Sequence, residues 1–168
     1  MHTLNWYAAY TQPRHEKKIL EHLQSREITA FLPVYRVPRR WNNGLRVNLE
    51  LPLFPGYIFV RTSLKARGPV VGAPGVVGLV GCGRRPTPIP DEEIATLANG
   101  ISRLDPEPHP YIQIRDRVRL RSGPLAGREG ILVRKQQNFR FVLSMDLLMQ
   151  SVSVQVDAAD LEHLPARN

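Results

Sequence analysis

Hydrophobic and polar positions follow two different patterns along this chain of 168 residues. Over roughly the first hundred residues, short apolar runs typical of strands alternate with segments whose apolar residues recur three or four positions apart, as in amphipathic helices. Beyond residue 110, apolar residues recur at every second position, which is typical of half-buried strands. The change of period predicts two domains, residues 1–101 and residues 111–168.

The first domain opens with a predicted strand and a predicted helix. Leu4–Tyr10 is apolar and aromatic, which favours a strand. The segment Arg14–Arg26 carries one narrow apolar stripe, so it predicts a helix whose other faces are exposed. Thr11 is the predicted N-cap of this helix, with Pro13 in the first turn.

A basic hairpin is predicted next. Pro33 interrupts the apolar run Ile28–Val37 and so predicts a broken or edge strand. Asn43 and Gly44 form the strongest hairpin signal in the chain, since both residues tolerate the positive φ of a primed two-residue turn. Four arginines and a tryptophan surround this turn: Arg36, Arg39, Arg40, Arg46 and Trp41. The hairpin is therefore either a nucleic-acid finger, with phosphate contacts and base stacking, or a solubilising surface element.

The most apolar segment of the chain, Leu51–Arg61, contains two prolines and a glycine. Proline fixes φ and removes a backbone donor, whereas Gly56 permits a sharp change of direction. The segment therefore predicts a rigid turn that leads into a buried strand, Tyr57–Val60. Phe54 and Tyr57 lie at the start of that strand. Both rings can be core residues, the commoner role of aromatic side chains, or the stiff turn can present them to a partner.

Two further segments complete this domain. The glycine-rich segment 75–81 predicts a short strand. Pro90 and the acidic residues Asp91–Glu93 predict the start of a helix whose apolar stripe continues to Ile101. This order of elements predicts an α+β fold, an α/β sandwich built on an antiparallel sheet.

The glycine-rich loop Gly81–Arg85 resembles a phosphate-binding loop only superficially. It lacks the Lys-Ser/Thr pair of a Walker loop, and no helix follows it directly. A Walker-type nucleotide site is therefore not predicted.

The remainder of the chain is predicted to be a linker and a small barrel. Alternate prolines make residues 102–110 a stiff, extended linker. Three segments then alternate apolar and polar residues, Ile112–Leu120, Phe139–Met145 and Val152–Val156, and the apolar run Ile131–Arg134 predicts a further strand. Several short strands without a helical pattern predict a small closed or nearly closed β-barrel.

Composition indicates a class of partner and excludes several kinds of chemistry. The formal net charge is +8, and residues 1–101 hold thirteen Lys and Arg against seven Asp and Glu. A polyanionic partner such as nucleic acid is thus expected to contact mainly the first domain.

Cys82 is the only cysteine and the five histidines lack zinc-ligand spacing, so no disulfide, metal or cofactor is expected. No paired carboxylates and no nucleophile with an adjacent base stand out, so the chain is not predicted to be an enzyme.

The chain also lacks the sequence signals of secretion and membrane insertion. Its N-terminus has no apolar segment typical of a signal peptide, and no apolar run reaches membrane-spanning length. We therefore expect a soluble, cytoplasmic protein, most simply a monomer.

Several motifs together resemble one known family. Trp6-Tyr7, Glu16-Lys17-Lys18, Leu53–Val60 and Pro86–Pro90 resemble the N-terminal (NGN-type) domain of the NusG transcription elongation factors. Val118–Gly130 resembles a KOW motif, the SH3-like barrel module that ends such proteins. The resemblance covers nearly the whole chain in the order of the family.

This resemblance implies a binding protein that travels with RNA polymerase. In the family, the N-terminal domain docks on the clamp helices of the largest polymerase subunit through an apolar patch and modulates pausing or termination. Carried over by motif, the RNA polymerase contact is assigned to six residues: Trp6, Tyr7, Phe54, Pro55, Gly56 and Tyr57. For Phe54 and Tyr57, the resemblance favours presentation to a partner over burial.

The basic residues of the first domain are expected near upstream DNA or the non-template strand. By position, the candidates on the first helix are Arg14, Lys17 and Lys18. The hairpin adds Arg39, Arg40 and Trp41.

The barrel of this family recruits a further factor, such as the termination factor Rho or a protein of the small ribosomal subunit. The corresponding loop here contains Leu147, Leu148, Met149 and Gln150. The two leucines match the apolar character of the family, whereas Met149 and Gln150 stand where the housekeeping factor usually has glycine and arginine. Those departures disfavour contact with Rho and favour a specialised, RfaH-like or UpxY-like antitermination paralogue.

Two alternatives concern the barrel. Some antiterminators of this family refold it as a helical hairpin, but the strict alternation of Phe139–Met145 and Val152–Val156 predicts a constitutive β-barrel. The alternative function is that of a ribosome-associated or general RNA-binding KOW protein. That alternative requires the basic charge to lie on the barrel.

Overall fold

The computed structural model describes residues 3–110, 117–135 and 138–165. Its chain forms two compact units, Met1–Ala95 and Thr96–Asn168. Antiparallel sheets combined with helices confirm the predicted α+β class. The first apolar positions of the predicted barrel, Ile112 and Ile114, lie outside the described residues.

The first unit contains a four-stranded antiparallel sheet, three helices and two separate hairpins. Its elements are β1 (Asn5–Thr11), α1 (Glu16–Ser25), β2 (Ala30–Phe31), β3 (Val34–Arg40), β4 (Arg46–Pro52), β5 (Tyr57–Thr62), α2 (Gly68–Val71), β6 (Val76–Leu79), β7 (Gly81–Cys82), β8 (Arg85–Pro86) and α3 (Asp91–Ala95). The main sheet has the strand order β2-β5-β1-β6, so β1 and β5 are central. The pairs β3–β4 and β7–β8 form two-stranded sheets of their own.

The core of this unit lies between the main sheet and α1. Tyr7 of β1 and Ile58 of β5 pack in one buried cluster with Ile19 and Leu23 of the helix. Burial of each large apolar side chain contributes about 1.5–3 kcal/mol. The narrow apolar stripe of α1 is therefore sufficient to hold the helix on the sheet.

Helix α1 begins later than the sequence predicts. Thr11 is the last residue of β1, where its N–H donates to the carbonyl of Gly56 (N···O 2.9 Å). The N-cap position belongs to His15, whose side chain makes no capping hydrogen bond. The prediction of Thr11 as the N-cap is therefore wrong, because pairing with a neighbouring segment outweighs the local capping preference of threonine.

The β3–β4 hairpin forms where it was predicted, but with a different turn. The chain breaks between β2 and β3 at Pro33, as expected of that proline. The turn spans residues 41–45, and within it only Gly44 has a positive φ, +82°. The side chain of Asn43 instead accepts a hydrogen bond from the N–H of Leu45 (3.2 Å). The prediction of a primed two-residue turn is therefore wrong.

The second unit is built around a six-stranded antiparallel sheet. It begins with a π-helical turn, Thr96–Gly100, and a 3-10 turn, Ile101–Arg103. Its strands are β9 (Glu107–His109), β10 (Arg117–Leu120), β11 (Glu129–Lys135), β12 (Asn138–Met145), β13 (Gln150–Val156) and β14 (Leu161–His163). Their order is β14-β10-β11-β12-β13-β9. Short 3-10 turns, Asp146–Leu148 and Ala158–Asp160, join the last strands. Within the described residues, the predicted strands of this unit are confirmed.

Strand β9 lies within the segment predicted as a linker. Pro108 stands opposite Val152 of β13, at the edge of the sheet, where proline is tolerated. Arg140 of β12 forms an ion pair with Glu107 (3.4 Å) and donates to the hydroxyl and the carbonyl of Ser153 (2.9 Å each). These bonds attach the start of β9 to the sheet. The domain boundaries themselves stay a prediction.

The described ranges contain no helix that is both long and apolar enough to cross a membrane. Within the same ranges, no group of three or more His, Cys, Asp or Glu is arranged to hold a metal ion. Cys82 is exposed.

Candidate functional site

Five aromatic side chains form a connected group on the face of the main sheet opposite α1. This aromatic cluster consists of Tyr10, Phe31, Phe54, Tyr57 and Phe59. Ring centroids lie 5.5 Å apart for Tyr10 and Tyr57, 6.2 Å apart for Phe31 and Phe59, and 6.0 Å apart for Phe54 and Phe59. Tyr57 and Phe59 are two positions apart on β5 and therefore share a face. The three ring pairs thus belong to one surface.

The turn Phe54-Pro55-Gly56-Tyr57 carries this cluster. The N–H of Tyr57 donates to the carbonyl of Phe54 (3.1 Å), and Gly56 has a φ of +85°. Proline at the second position and glycine with positive φ at the third are the signature of a type II β-turn. A Cβ at Gly56 would be strained by this φ and would contact the ring of Tyr10. The rigid turn predicted from the sequence is therefore present.

Glu16, the first residue of α1, anchors the turn to the helix. Its carboxylate Oε1 accepts a hydrogen bond from the N–H of Gly56 (2.9 Å), and the residue is only 4% exposed. The carbonyl of Gly56 accepts from the N–H of Thr11. A carboxylate in the first turn also interacts favourably with the helix dipole. Both backbone polar groups of Gly56 are thus satisfied, one by α1 and the other by β1.

The aromatic cluster has a buried base and an exposed rim. Phe54 is 1% exposed and Phe59 is fully buried. Tyr57 and Phe31 are partly exposed. Tyr10 is 48% exposed and stands opposite a glycine of β6, which offers no side chain to cover the ring. Three rings of the cluster are thus accessible, those of Tyr10, Tyr57 and Phe31, and they form its rim, whereas Phe54 and Phe59 are buried.

The hydroxyl of Tyr57 stays protonated at neutral pH. Burial raises the pKa of Tyr57 above its ordinary value of 10.0, and the neighbouring Tyr10 adds to the shift. Burial has this effect because it disfavours the charged phenolate. The Tyr57 hydroxyl can therefore both donate and accept a hydrogen bond at the rim.

The structure separates the six residues predicted to contact a polymerase. The four residues 54–57 stay together in the turn, and among them only Phe54 lies in the core. Trp6 lies on the same face of β1 as Tyr10 and is partly exposed, and its backbone forms an isolated β-bridge with Ile89. Tyr7 is 2% exposed and packs in the core under α1, on the opposite face. Burial therefore removes Tyr7 and Phe54 from the accessible surface.

Sequence reasoning missed two members of the cluster, Tyr10 and Phe31. Alternation along β1 could have identified Tyr10, since it lies three residues after Tyr7 and thus on the opposite face. No comparable signal exists for Phe31. Its place depends on the pairing of β2 with β5, which sets Phe31 opposite Phe59.

The residues predicted to bind nucleic acid lie on two elements of the first unit. They are exposed: Arg14, Lys17 and Lys18 at the start of α1, and Arg39, Arg40 and Trp41 at the tip of the β3–β4 hairpin. Trp41 is 60% exposed. In the part of the chain that the structure describes, none of these five cations forms an ion pair with a carboxylate. Their charges are therefore available to a polyanion.

Comparison with known proteins defines the relationship of this chain. Residues 4–98, more than half of the sequence, match the family described as transcription termination factor nusG. The chain belongs to the NusG family. The resemblance drawn from the motifs in its first strand, first helix and type II turn is thus confirmed.

Individual NusG proteins support the same conclusion. The chain is 30% identical over 149 residues to the transcription termination/antitermination protein NusG of Thermus thermophilus, covering 76% of this chain and 80% of that protein. It is 23% identical over 173 residues to the protein of the same name from Staphylococcus carnosus, with 95% of each covered. A solved structure concerning domain interaction in Thermotoga maritima NusG has a TM-score of 0.57 and 21% identity, covering 97% of this chain and 98% of that one, and so shares the fold. The names of these relatives support a role in transcription.

The second unit of this NusG-family protein carries the loop predicted to bind a partner. Leu147 is partly exposed and Leu148 is buried, whereas Met149 is 68% exposed. Met149 has a φ of +50°, in the left-handed region that disfavours residues other than glycine. Gln150 begins β13, opposite Met145. The loop therefore presents chiefly Met149 rather than the pair of leucines.

Ion pairs neutralise part of the basic face of the second unit. Arg117 and Arg119 both hydrogen-bond to Glu129, the latter at 2.7 Å, and Glu162 lies 3.9 Å from Arg119. The hydrogen bond from Arg119 lowers the pKa of the Glu129 carboxyl below its ordinary value. These arginines are engaged within the unit. The arrangement gives no particular support to the alternative of an RNA-binding barrel.

Proposed function

We propose that this chain is a transcription elongation or antitermination factor that docks on RNA polymerase through its first unit. The observation that carries the proposal is the aromatic cluster, in which a rigid turn places Tyr57 beside Tyr10 of β1 and both rings are accessible. The surface it contacts is the pair of clamp helices of the largest polymerase subunit. Aromatic side chains that are already fixed lose little entropy on binding and often dominate the energy of an interface.

Within this surface the side chains have different roles. Tyr10 and Tyr57 make the direct contacts, because their rings are accessible and their hydroxyls can stay hydrated at the rim. Phe54 is buried against Phe59, so its role is positioning rather than contact. Tyr10 and Tyr57, rather than Phe54, are therefore the residues whose substitution tests the contact.

The proposed activity is mechanical and needs no catalytic group. A factor that binds the closed clamp more tightly than the open clamp shifts the polymerase towards the closed state. A preference of about 1.4 kcal/mol changes the ratio of the two states about tenfold. Pausing and termination, which depend on that ratio, respond to the same shift.

The exposed cations of the first unit are assigned to contacts with upstream DNA or the non-template strand. Arg14, Lys17 and Lys18 supply phosphate contacts from α1, and Arg39 and Arg40 supply them from the hairpin. Trp41 offers a stacking platform for an unpaired base. Both kinds of contact hold nucleic acid without requiring a defined sequence.

The second unit is assigned to the recruitment of a further factor, a small-subunit ribosomal protein or Rho. Met149 has a flexible, polarisable side chain that suits an adaptable apolar contact. Met149 and Gln150 stand where the family usually has glycine and arginine. This exchange favours an apolar partner surface and a specialised antitermination paralogue.

The docking surface is tested with Tyr10→Ala and Tyr57→Ala. We expect each substitution to weaken binding to a clamp-helix fragment of the polymerase about tenfold or more, because it removes an anchor of the interface. Binding is measured by calorimetry on the full chain, with thermal unfolding as the check on folding. Met149→Ala, which removes an exposed apolar side chain from the other unit, is the matched control and leaves the affinity unchanged. Full affinity in both tyrosine variants would refute the assigned surface.

A further inference from the structure

Glu16 is buried at the start of α1, but its side chain serves a turn far along the chain. The residue is only 4% exposed, and its carboxylate Oε1 accepts the N–H of Gly56 at 2.9 Å. Burial of a charged group costs free energy unless hydrogen bonds or an opposite charge compensate it. We propose that Glu16 is a positioning residue of the docking surface, an assignment that rests on the docking function proposed above. By holding the Gly56 N–H, it fixes the turn as type II and keeps Tyr57 beside Tyr10.

The turn Phe54-Pro55-Gly56-Tyr57 has one close conformational alternative. Proline at the second position fits both type I and type II turns, and glycine can adopt the φ that either type requires at the third position. That φ is about −90° in type I and about +80° in type II. The φ of Gly56 is +85°. The two types differ mainly in the orientation of the central peptide, here the one that joins Pro55 to Gly56, so a single peptide flip separates them.

Glu16 distinguishes the two orientations of this peptide. Its carboxylate accepts the Gly56 N–H, so the N–H of the central peptide points towards the start of α1. The peptide is trans, and the carbonyl of Pro55 is therefore directed away from the carboxylate. A flip to type I would withdraw the N–H and turn the carbonyl oxygen towards a group of like charge. Proline and glycine favour type II locally, and Glu16 adds a tertiary contact that disfavours the alternative.

The same turn determines the surface around the two rim tyrosines. Tyr57 stands opposite Tyr10 in the register of β1 and β5. The carbonyl of Gly56 accepts the N–H of Thr11, the residue that follows Tyr10. A Cβ at Gly56 would lie 3.6 Å from Cε2 of Tyr10, so the backbone of the turn packs beside that ring. A change of orientation at Gly56 therefore alters the surface next to both rings.

Glu16 acts on the affinity without touching the partner, because its side chain is buried. Glycine has more backbone freedom to lose than any other residue. At Gly56 this freedom is removed before binding, since α1 holds the N–H and β1 holds the carbonyl. A surface that is already fixed loses less entropy when it binds. The hydrogen bond from Gly56 to Glu16 therefore raises the fraction of the protein that is ready to dock.

The surroundings of Glu16 identify the Gly56 N–H as the contact that matters. Among the residues that the structure describes, no Lys, Arg or His forms an ion pair with Glu16. The dipole of α1 favours a carboxylate in the first turn but does not require one that reaches Gly56. The hydroxyl of Thr11 is buried and has no hydrogen-bond partner within the described ranges. Thr11 thus bonds to Gly56 through its backbone only, and its side chain provides a control.

Three substitutions separate the reach of the Glu16 side chain from its charge. Glu16→Gln keeps an acceptor oxygen at the same distance, Glu16→Asp keeps the charge but is one methylene shorter, and Glu16→Ala removes both. We expect affinity for a clamp-helix fragment to fall about two- to threefold in Glu16→Gln and about three- to tenfold in the other two, because apparent affinity falls with the fraction of competent protein. Calorimetry on the full chain measures these affinities.

A double-mutant cycle with Tyr57→Ala separates positioning from general loss of stability. If Glu16 acts through the turn, its removal has little left to disturb once the Tyr57 ring is absent. We therefore expect Glu16→Asp/Tyr57→Ala to bind less than about twofold more weakly than Tyr57→Ala. A merely structural role predicts the same loss in both backgrounds.

Amide hydrogen exchange reports on the turn without any partner. We expect the Gly56 N–H to exchange about tenfold faster or more in Glu16→Asp and Glu16→Ala, because the turn opens locally when the acceptor is withdrawn. The reference is the N–H of Arg61, which donates to the carbonyl of Thr29 (2.9 Å). A loss of global stability alone would accelerate both amides by the same factor. Glu16→Gln should restore most of the protection at Gly56.

Two control variants test the specificity of the effect. Glu21→Ala removes an exposed carboxylate from the same helix and should change the affinity less than about twofold. Thr11→Val removes the unpartnered hydroxyl but keeps the backbone bond to Gly56, so the affinity should stay unchanged. Thermal unfolding verifies that each variant is folded at the assay temperature. If Glu16→Ala is not, Glu16→Asp decides the result.

The outcome distinguishes the role of Glu16 from the docking function itself. Full affinity in both Tyr10→Ala and Tyr57→Ala refutes the docking surface and, with it, this role of Glu16. Weakened binding in the tyrosine variants, combined with full affinity in Glu16→Asp, overturns the role of Glu16 alone. So does a loss that adds fully in the double variant, or an equal loss in Glu21→Ala.

Discussion

At the scale of single residues, Gly56 connects the sequence to the candidate site. Pro55 and Gly56 determine a type II turn locally, so its presence could be predicted from two adjacent residues. The acceptor of the Gly56 N–H, by contrast, could not be predicted from adjacent residues. It is the carboxylate of Glu16, forty positions earlier in the chain. The pair is brought together only when α1 packs against the sheet.

The hydrogen bond between Glu16 and Gly56 makes a first prediction at this scale. We expect Glu16→Ala to lower the free energy of unfolding by about 1–3 kcal/mol, because a partly buried N–H loses its charged acceptor. Glu16→Gln keeps an acceptor oxygen and should cost less. Urea unfolding of the full chain measures both changes. Glu21→Ala, on an exposed position of the same helix, should cost no more than about 0.5 kcal/mol; an equal loss in Glu21→Ala would contradict the assigned role.

A second prediction concerns the pH dependence of Tyr57. Its pKa is raised in the folded protein, so the folded state holds this proton more tightly than the unfolded state. Ionisation of Tyr57 therefore gives the free energy of unfolding no pH dependence below the unfolded pKa of about 10. Above that pH, the free energy of unfolding falls as the pH rises towards the folded pKa. We expect Tyr57→Phe to remove that alkaline loss. The test compares alkaline absorbance titrations of the tyrosine hydroxyls in the wild type and in Tyr57→Phe. The two curves should differ by one tyrosine that ionises above pH 10, and a difference that lies below pH 10 would contradict the prediction.

At the scale of elements, local patterns predict the hairpin better than its turn. The Asn43-Gly44 pair located the hairpin of β3 and β4, because strand pairing across a short turn depends on neighbouring residues. The turn type depends on which residue adopts a positive φ. Here Gly44 does so and Asn43 does not, since the Asn43 side chain bonds locally to the N–H of Leu45. The longer turn leaves Trp41 exposed at the tip.

The hairpin makes the prediction that belongs to this scale. If Arg39 and Arg40 each neutralise one phosphate, R39Q/R40Q lowers the slope of log affinity against log salt for single-stranded DNA by about 1.4. Trp41→Ala should weaken binding by about 1–3 kcal/mol without changing that slope, because stacking involves no counterion release. Filter binding over a salt series measures both effects. R121Q, an exposed arginine of the second unit, should leave the slope unchanged; an unaltered slope in R39Q/R40Q would exclude the hairpin as a phosphate contact.

At the scale of the whole molecule, charge and apolar surface fall mainly on the first unit. Residues 1–101 carry thirteen Lys and Arg against seven Asp and Glu, a balance visible in the sequence. Which of these charges are free is a tertiary property. Arg117 and Arg119 of the second unit are engaged by Glu129, whereas Arg39 and Arg40 of the first unit form no ion pair with a carboxylate among the described residues. Proposed nucleic-acid contacts therefore concentrate on one unit.

The sequence by itself determined the α+β class, the rigid turn, the family and the order of most elements, but not the short strands β7, β8 and β9. These features depend on periodicity, on turn residues and on motifs, which act over a few neighbouring positions. Only the tertiary structure decided which aromatic side chains a partner can reach. Phe54 is buried because it packs edge-on against Phe59, and Tyr10 is accessible because it stands opposite Gly78 on the face away from α1. Exposure is a property of the assembled sheet, so no local pattern in the chain could assign it.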